Sequence, residues 1–361
     1  MLNRNGKANL GLLVLMLLAC TLGSGTFGLH AQTGWSADKV EPASAFAPTG
    51  YRLLGRYPVS GDGSWDYIAL DSVARRLYVS HGAQVQVLDA DSGKIVGQIA
   101  DTPGVHGVAL APELHRGFTS NGGDKSVTMF DTDKLTPIKK IQIETGTDNI
   151  VYDSSSQRVF PLNEKTTVLD AQSGKVAGTV NLGGSPEAGV SDGNGAVYVN
   201  IADRNVVAVV DAKTLSVVKT FPLAFCTSPH SLSYDPINRR LLVGCRSGMF
   251  VALDVATGKV VGGTLVCSGV DSSGFDPTSK LVFESCGEGV ISVIRQITPD
   301  HYELIETIPT HLWAMTMAFD PLTKRIYLPV AEFEIVSTPG PQQRPERKIK
   351  PGSFSVVVVG K

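Results

Sequence analysis

Six acidic or histidine residues recur at one fixed place in this sequence, and their types suit cation binding or acid–base chemistry. The place lies five residues before a repeated strand end, and Met315 occupies it in the last copy. Carboxylate oxygens and imidazole nitrogens bind divalent cations, and a pair of carboxyl groups with raised pKa can act as acid and base. The six residues are Asp66, His106, Asp148, Glu187, His230 and Asp271.

The strand end returns about every 40 residues, and this period predicts the elements that position the six side chains. Successive spacings are 40, 42, 39, 43, 41 and 44 residues. Each complete unit reads as four short strands, which at this period is typical of a β-propeller blade. We therefore expect an all-β chain with a single seven-bladed propeller over residues 51–361. The strand ends are Asp71, Ala111, Asp153, Asp192, Asp235, Asp276 and Asp320.

The two ends of the repeat region predict how the ring closes. The seventh unit contains only three strands, and residues 51–59 supply a spare strand before the first unit. We expect this strand to pair as the outer strand of blade seven, which leaves no open seam. Residues 331–352 interrupt the seventh unit, and their proline and charge content predicts a mobile loop, with a partner-binding tab as the alternative.

In a propeller, the first strand of each blade lines the central channel, so the six recurring residues should ring its mouth. They could coordinate one divalent cation, bind another small ligand, or hold carboxyl groups with raised pKa. A water-filled channel whose strand starts are simply polar is the structural alternative. Five more residues are expected on the same face of the ring: His81, Asn121, Asn163, His311 and Trp313.

The repeats themselves resemble a known family. The segments RRLYVSHG, VQVLDADSGKIVGQI and GAVYVNIADRNVVAVVDAKTLSVVKTF resemble the YVTN-type β-propeller repeat of secreted YncE-like proteins. The resemblance covers about residues 50–361 and implies the propeller fold, whereas propellers host many unrelated functions. One kind of family member binds single-stranded DNA through exposed aromatic residues. We do not extend that activity here, because the chain has only three tryptophans and no basic–aromatic stripe.

Four cysteines follow the repeat and predict two disulfides. Cys226 and Cys267 each lie nine residues before a strand end, and Cys245 and Cys286 each lie ten residues after the same strand end. Loops at these two places open on one face of a blade, so the members of each pair can approach. Repeat equivalence favours Cys226–Cys245 and Cys267–Cys286 among the three pairings. A metal site is the competing interpretation, but no C-x-x-C spacing supports it.

The N-terminal residues predict export. Arg4 and Lys7 precede an apolar run, which predicts a secretory signal peptide over residues 1–31 that is too short for a stable membrane span. A flexible leader is expected over residues 32–50. Lipid anchoring through Cys20 is the alternative, because the three residues before it loosely match a bacterial lipobox.

The overall charge argues against one class of partner. The formal net charge of the 361-residue chain is −2, and cleavage after Ala31 would remove two basic residues and no acidic ones. A mature chain of charge −4 with no broad basic surface argues against nucleic-acid binding. No transmembrane span is expected in the mature chain, and we expect a monomer.

Together these features favour an exported binding or scaffold protein, periplasmic or secreted, rather than an enzyme. Its partner would be a small ligand or an envelope protein, and its one cofactor a divalent metal ion at the channel mouth. The alternative is a metal-dependent hydrolase of the lactonase type, because gluconolactonase-like propellers hold a divalent cation at the same place. Their motif does not match here residue by residue, and the chain contains no Walker-type loop, G-x-S-x-G or H-E-x-x-H.

Overall fold

The computed structural model describes residues 46–61, 63–337 and 346–361. Over these ranges the chain is an all-β ring of seven four-stranded antiparallel blades, as the sequence predicts. The predicted signal peptide, Cys20 as the alternative lipid-anchoring residue, and residues 32–45 of the predicted leader lie outside the described residues. Among the described residues, no helix is long and apolar enough to cross a bilayer.

A single strand, β1 (Arg52–Pro58), precedes the first complete blade. Blade 1 comprises β2 (Ile68–Asp71), β3 (Arg76–His81), β4 (Gln84–Asp89) and β5 (Ile95–Ile99). Blade 2 comprises β6 (Val105–Ala111), β7 (Arg116–Asn121), β8 (Ser126–Asp131) and β9 (Thr136–Gln142), with a 3₁₀ turn (Pro112–Leu114) after β6. Blade 3 comprises β10 (Ile150–Asp153), β11 (Arg158–Pro161), β12 (Lys165–Asp170) and β13 (Val176–Asn181).

The remaining blades follow the same order from the channel outwards. Blade 4 comprises β14 (Pro186–Ser191), β15 (Ala196–Ile201), β16 (Val206–Asp211) and β17 (Ser216–Pro222). Blade 5 comprises β18 (Pro229–Asp235), β19 (Arg240–Cys245), β20 (Met249–Asp254) and β21 (Val260–Leu265). Blade 6 comprises β22 (Val270–Asp276), β23 (Leu281–Cys286), β24 (Val290–Thr298) and β25 (His301–Pro309). Blade 7 contains β26 (Ala318–Phe319), β27 (Ile326–Val330) and β30 (Ser355–Gly360), with the hairpin strands β28 (Phe333–Ser337) and β29 (Glu346–Ile349) inserted before β30.

The hydrophobic core lies between the blades. Each cluster of buried apolar side chains joins two neighbouring blades, such as Val85 and Val87 of β4 with Phe130 of β8. The middle strands are buried on both faces, which explains their continuous apolar runs. Each inner strand also contacts the inner strands of the two neighbouring blades, and β2 of blade 1 contacts β26 of blade 7, which completes the ring. The blades are therefore held mainly by packing against their neighbours around a closed ring.

The repeated aspartates at the strand ends cap turns. Oδ1 of Asp71 accepts hydrogen bonds from the backbone N–H groups of Val73 and Ala74, at 3.0 and 2.8 Å. At the end of the third strand, Oδ1 of Asp89 accepts from the N–H and hydroxyl groups of Ser92. These bonds satisfy turn donors that the ladder leaves unpaired, so the aspartates have a structural role on this side of the blades.

The spare strand closes the ring as predicted. Strand β1 pairs antiparallel with β30, from Arg52 opposite Gly360 to Pro58 opposite Ser355. Blade 7 consequently has the order β26–β27–β30–β1, with its inner and outer strands taken from opposite ends of the domain. The predicted closure is confirmed.

The insertion in blade 7 contains regular structure at both of its ends. The sequence indicates a loop over residues 331–352, but β28 pairs antiparallel with β29, and Phe333 lies opposite Ile349. The alternation of Phe333 and Ile335 with Glu334 is a strand pattern. The ring of Phe333 also packs at 5.8 Å from that of Trp65 in blade 1, which anchors the hairpin beside the channel.

Both predicted disulfides are present in the structure. Cys226 pairs with Cys245 and Cys267 with Cys286, with Cα–Cα distances of 5.5 and 6.1 Å and a sequence separation of 19 in each. Each bond ties the loop that leads into an inner strand to the end of the second strand. Blade 5 and blade 6 therefore each contain one internal cross-link, on the face that carries the channel mouth.

Replacing both cysteines of one bond, Cys226→Ser with Cys245→Ser, is expected to lower the free energy of unfolding by about 3 kcal/mol, mainly because the unfolded chain gains entropy. Chemical denaturation under oxidising conditions would measure the loss. The control is the same comparison after reduction, where wild type and variant should nearly coincide. Free thiols in the oxidised wild-type protein, or equal stabilities without reductant, would contradict the pairing.

Candidate ligand site at the channel mouth

The six recurring residues lie where the inner strands begin, all at one end of the channel. Hydroxyl groups of the second strands hold this backbone in place. The N–H of Asp66 donates to Oγ of Ser80 at 2.8 Å, and Oγ of Ser120 donates to the carbonyl of Asp148 at 2.5 Å. Short side chains at these positions therefore fix the strand starts relative to one another across neighbouring blades.

Three of the six residues form a compact group of metal-ligating atoms. Nδ1 of His106 lies 2.6 Å from Oδ2 of Asp66 and 3.2 Å from Oδ1 of Asp148. The ligand atoms of the three residues all lie within 4.8 Å of one another. An added Cβ at Gly122 would lie 2.8 Å from Nε2 of His106, so the missing side chain there makes room for the imidazole. We call these three residues the triad.

The charges of the triad depend on one another. Hydrogen bonds from the His106 ring to Asp148 and Asp66 raise the pKa of this histidine to about 10. Burial raises the pKa of Asp66 to about 6, although its bond to His106 acts in the opposite direction. Without a bound cation, the imidazolium therefore holds the two carboxyl groups together at neutral pH.

The other recurring residues form two separate pairs. Nε2 of His230 lies 3.4 Å from Oε1 of Glu187, and an Arg246 guanidinium nitrogen lies 2.8 Å from Oδ1 of Asp271. Burial, followed by repulsion from Asp148, raises the pKa of Glu187 to about 7. Burial lowers the pKa of His230. The ring thus contains one tight triad, one weak contact and one ion pair rather than six equivalent groups.

The mouth opens into a cavity of 420 Å³. Five of the seven recurring positions line it, with His106 and His230 as the exceptions. Trp313, one of the five additional predicted residues, lines it as well. The other residues that line the cavity were not predicted from the sequence. The cavity is lined by Ser64, Trp65, Asp66, Tyr67, Asp148, Glu187, Arg246, Asp271, Trp313, Met315, Thr316, Phe333 and Ile349.

Three of the additional predicted residues do not reach the cavity. His81, Asn121 and Asn163 end or follow second strands and are buried. The His81 ring stacks on Phe354 at 4.3 Å, and the Asn121 amide donates to the hydroxyls of Ser126 and Thr128. A side chain at the end of a second strand therefore packs between strands instead of facing the channel.

The other two additional residues lie beside the inserted hairpin. His311 is partly exposed, and its Nδ1 lies 2.8 Å from the carbonyl of Leu312. It lines a neighbouring cavity of 450 Å³, which shares Trp313 and Phe333 with the first. The residues missed by sequence reasoning had weak signals: Trp65 directly precedes Asp66, and Phe333 belongs to a segment that interrupts the repeat.

Comparisons with known proteins agree with the fold. No family model matches the chain. The chain is similar to a protein described as uncharacterized protein YncE in Salmonella typhi and in Salmonella typhimurium, with 24% identity over 190 residues. That match spans 50% of this chain and 53% of each relative, so the chain spans about half the length of the curated relatives it matches.

Solved structures show the same architecture at low identity. A chain of Kuenenia stuttgartiensis hydrazine synthase superposes with a TM-score of 0.65 at 16% identity, covering 75% of this chain and 94% of that chain. The structure of U3-55K superposes with a TM-score of 0.70 at 10% identity, covering 85% of this chain and 98% of that one. At such identities the likeness shows the fold alone. The repeat pattern and the seven blades together make this chain a seven-bladed β-propeller, and its weak sequence similarity is to YncE.

Proposed function

We propose that the protein is an exported binding protein whose channel mouth holds a cation, with a divalent metal ion bound by the triad. The observation that carries this proposal is the convergence of two carboxylates and one imidazole nitrogen within 4.8 Å. Nitrogen and oxygen donors suit zinc or manganese better than calcium, which prefers six to eight oxygens. Bound metal would take the place of the proton that now joins the three side chains.

The triad opens to solvent in a way that suits binding of a ligand. Asp66 and Asp148 line the 420 Å³ cavity, so a metal ion held there could complete its coordination with water or a small molecule. The partner in this proposal is a small ligand, and a protein of the cell envelope is the larger alternative. The protein would act as a monomer.

Export is supported by the cysteines. Disulfides persist in oxidising compartments, and two are present in blades 5 and 6. The proposed location is the periplasm or the cell exterior, after removal of residues 1–31.

The mature protein, residues 32–361, is expected to bind one equivalent of zinc or manganese, because the three donors are already assembled. The His106→Ala variant should lose more than about 100-fold in affinity, since loss of a mere outer-shell partner costs 10–100-fold. Metal analysis after dialysis and calorimetric titration would measure both.

The His230→Ala variant is the matched control, because that histidine lies outside the triad and should leave affinity within about twofold. Absence of metal uptake by the wild type, or equal uptake by His106→Ala, would refute the triad. Hydrolysis of a simple lactone that a chelator abolishes would move the protein to the lactonase class.

A further inference from the structure

We infer that the channel-mouth cavity binds an organic amine, with its ammonium group among the carboxylates and an apolar body against Trp65, Trp313 and Phe333. The inference deepens the proposed function by naming a ligand class for the same cavity. It rests on the cavity's being a ligand site, and it does not require the metal ion.

One side of the cavity is an aromatic wall. Trp65 and Tyr67 come from the start of blade 1, whereas Trp313 and Phe333 come from blade 7, its neighbour in the ring. The rings of Trp65 and Phe333 lie 5.8 Å apart. Neither coordination of a metal ion nor a water-filled channel needs such a wall, whereas a flat or apolar molecule packs well on one.

The wall depends on an element that the other blades do not share. Phe333 and Ile349 face each other across the β28–β29 hairpin, so their side chains lie on one face of it, and both line the cavity. Phe333 remains 37% exposed. Partly exposed apolar side chains grouped beside a cavity are typical of binding sites.

The apolar surface continues outwards from the cavity. Trp313 and Phe333 also line the neighbouring 450 Å³ cavity, together with Leu312 and Ile335, which are largely exposed. The two cavities together leave room for a ligand with a body of several carbon atoms as well as a charged group. Trp313 also adopts φ of 72°, a conformation that bulky residues rarely adopt and that clusters at functional sites.

The charge of the cavity selects the sign of the ligand. Its lining includes four carboxyl groups and a single guanidinium, that of Arg246, which is already paired with Asp271. The single imidazolium of His106 lies outside the lining and is shared by two of the four carboxyl groups, Asp66 and Asp148. Asp148 and Glu187 begin blades 3 and 4, across the ring from the aromatic wall of blades 7 and 1. An ammonium group fits this side, and the faces of tryptophan rings also attract cations. A carboxylate of the same shape would be repelled.

Three related probes test the inference by calorimetry on the metal-free mature protein. Phenethylamine carries the ring and the ammonium, ethylamine lacks the ring, and 3-phenylpropionate replaces the ammonium with a carboxylate. Phenethylamine should bind at least tenfold more tightly than ethylamine, and 3-phenylpropionate should not bind. Equal binding of the two ring compounds, or no phenethylamine binding up to about 10 mM, would overturn the inference.

Variants locate the binding. Phe333→Ala should weaken phenethylamine about tenfold and leave ethylamine unchanged, whereas Glu187→Gln should weaken both amines. The control is Phe225→Ala, because that phenylalanine is 86% exposed before blade 5 and does not line the cavity. Unchanged phenethylamine binding in both Phe333→Ala and Glu187→Gln would overturn the placement. Metal uptake is measured separately, so failure of either proposal leaves the other standing.

Discussion

A chain that begins at residue 60, and so lacks strand β1, is expected to unfold about 10 °C below a chain that begins at residue 46. The strand supplies the outer edge of blade 7 through its pairing with β30. The residues that flank the strand are also buried in the interfaces of blade 7 with blade 6 and with blade 1. Tyr51 packs at 4.9 Å on Phe283 of blade 6, and Val59 is buried with Ile68 of blade 1.

The size of the effect follows from what the deletion exposes. Tyr51 and Val59 are only 4% and 3% exposed, and burying such side chains contributes roughly 1.5–3 kcal/mol each. The deletion also uncovers the edge of β30, which invites aggregation. The total loss is about 5 kcal/mol when the lost ladder bonds are included.

Calorimetry on the two chains measures the difference in melting temperature. Both chains lack residues 1–45, so only the closing segment distinguishes them. A synthetic peptide of residues 46–59, added in excess, should restore part of the lost stability by pairing in trans. Equal melting temperatures, or a peptide with no effect, would show that the strand does not close the ring.

Wild-type stability is expected to fall as pH rises, and Glu284→Gln should remove much of this dependence. Glu284 of β23 is fully buried and accepts a hydrogen bond of 2.6 Å from the Ser231 hydroxyl. An added Cβ at Gly244 would lie 2.6 Å from the carboxyl group, so the glycine makes room for it. Burial raises the pKa of Glu284 well above its usual range, and the Ser231 bond offsets this only in part.

The sign follows from proton binding. In the unfolded chain this carboxyl group has its ordinary pKa and ionises once the pH exceeds that value. In the folded protein it stays protonated up to its raised pKa. The unfolded state therefore binds fewer protons, and stability declines by about 1.4 kcal/mol per pH unit between the two pKa values. Glutamine has nearly the same shape and no charge, so the variant should gain on the wild type as pH rises.

Urea denaturation at pH 5, 7 and 9 measures both slopes. Glu164→Gln is the matched control, because that glutamate is exposed on blade 3 and its removal should leave the slope unchanged. Parallel curves for wild type and Glu284→Gln would mean that the buried carboxyl group does not carry the pH dependence.

The fold was predictable because its determinants are local and repeated. A period near 40 residues, four short strands in each complete unit and a spare strand suffice to predict the blades, their number and the closure of the ring. The same regularity predicted both disulfides, since equivalent loops of one blade lie on one face. Glu284, by contrast, sits in a strand whose other residues are apolar or small, and nothing in its spacing marks it as a buried carboxyl group.

The sequence by itself determined the seven-bladed ring and the column of acidic and histidine residues at the starts of its inner strands, because both follow from the position of a residue within its repeat. Only the tertiary structure decided which of those residues meet. His106 lies between Asp66 and Asp148, whereas Glu187 and Asp271 contact His230 and Arg246. Contacts between side chains of different blades depend on how far each side chain extends and on an insertion outside the repeat. That insertion brings Phe333 and Ile349 to the cavity, and no period in the sequence encodes it.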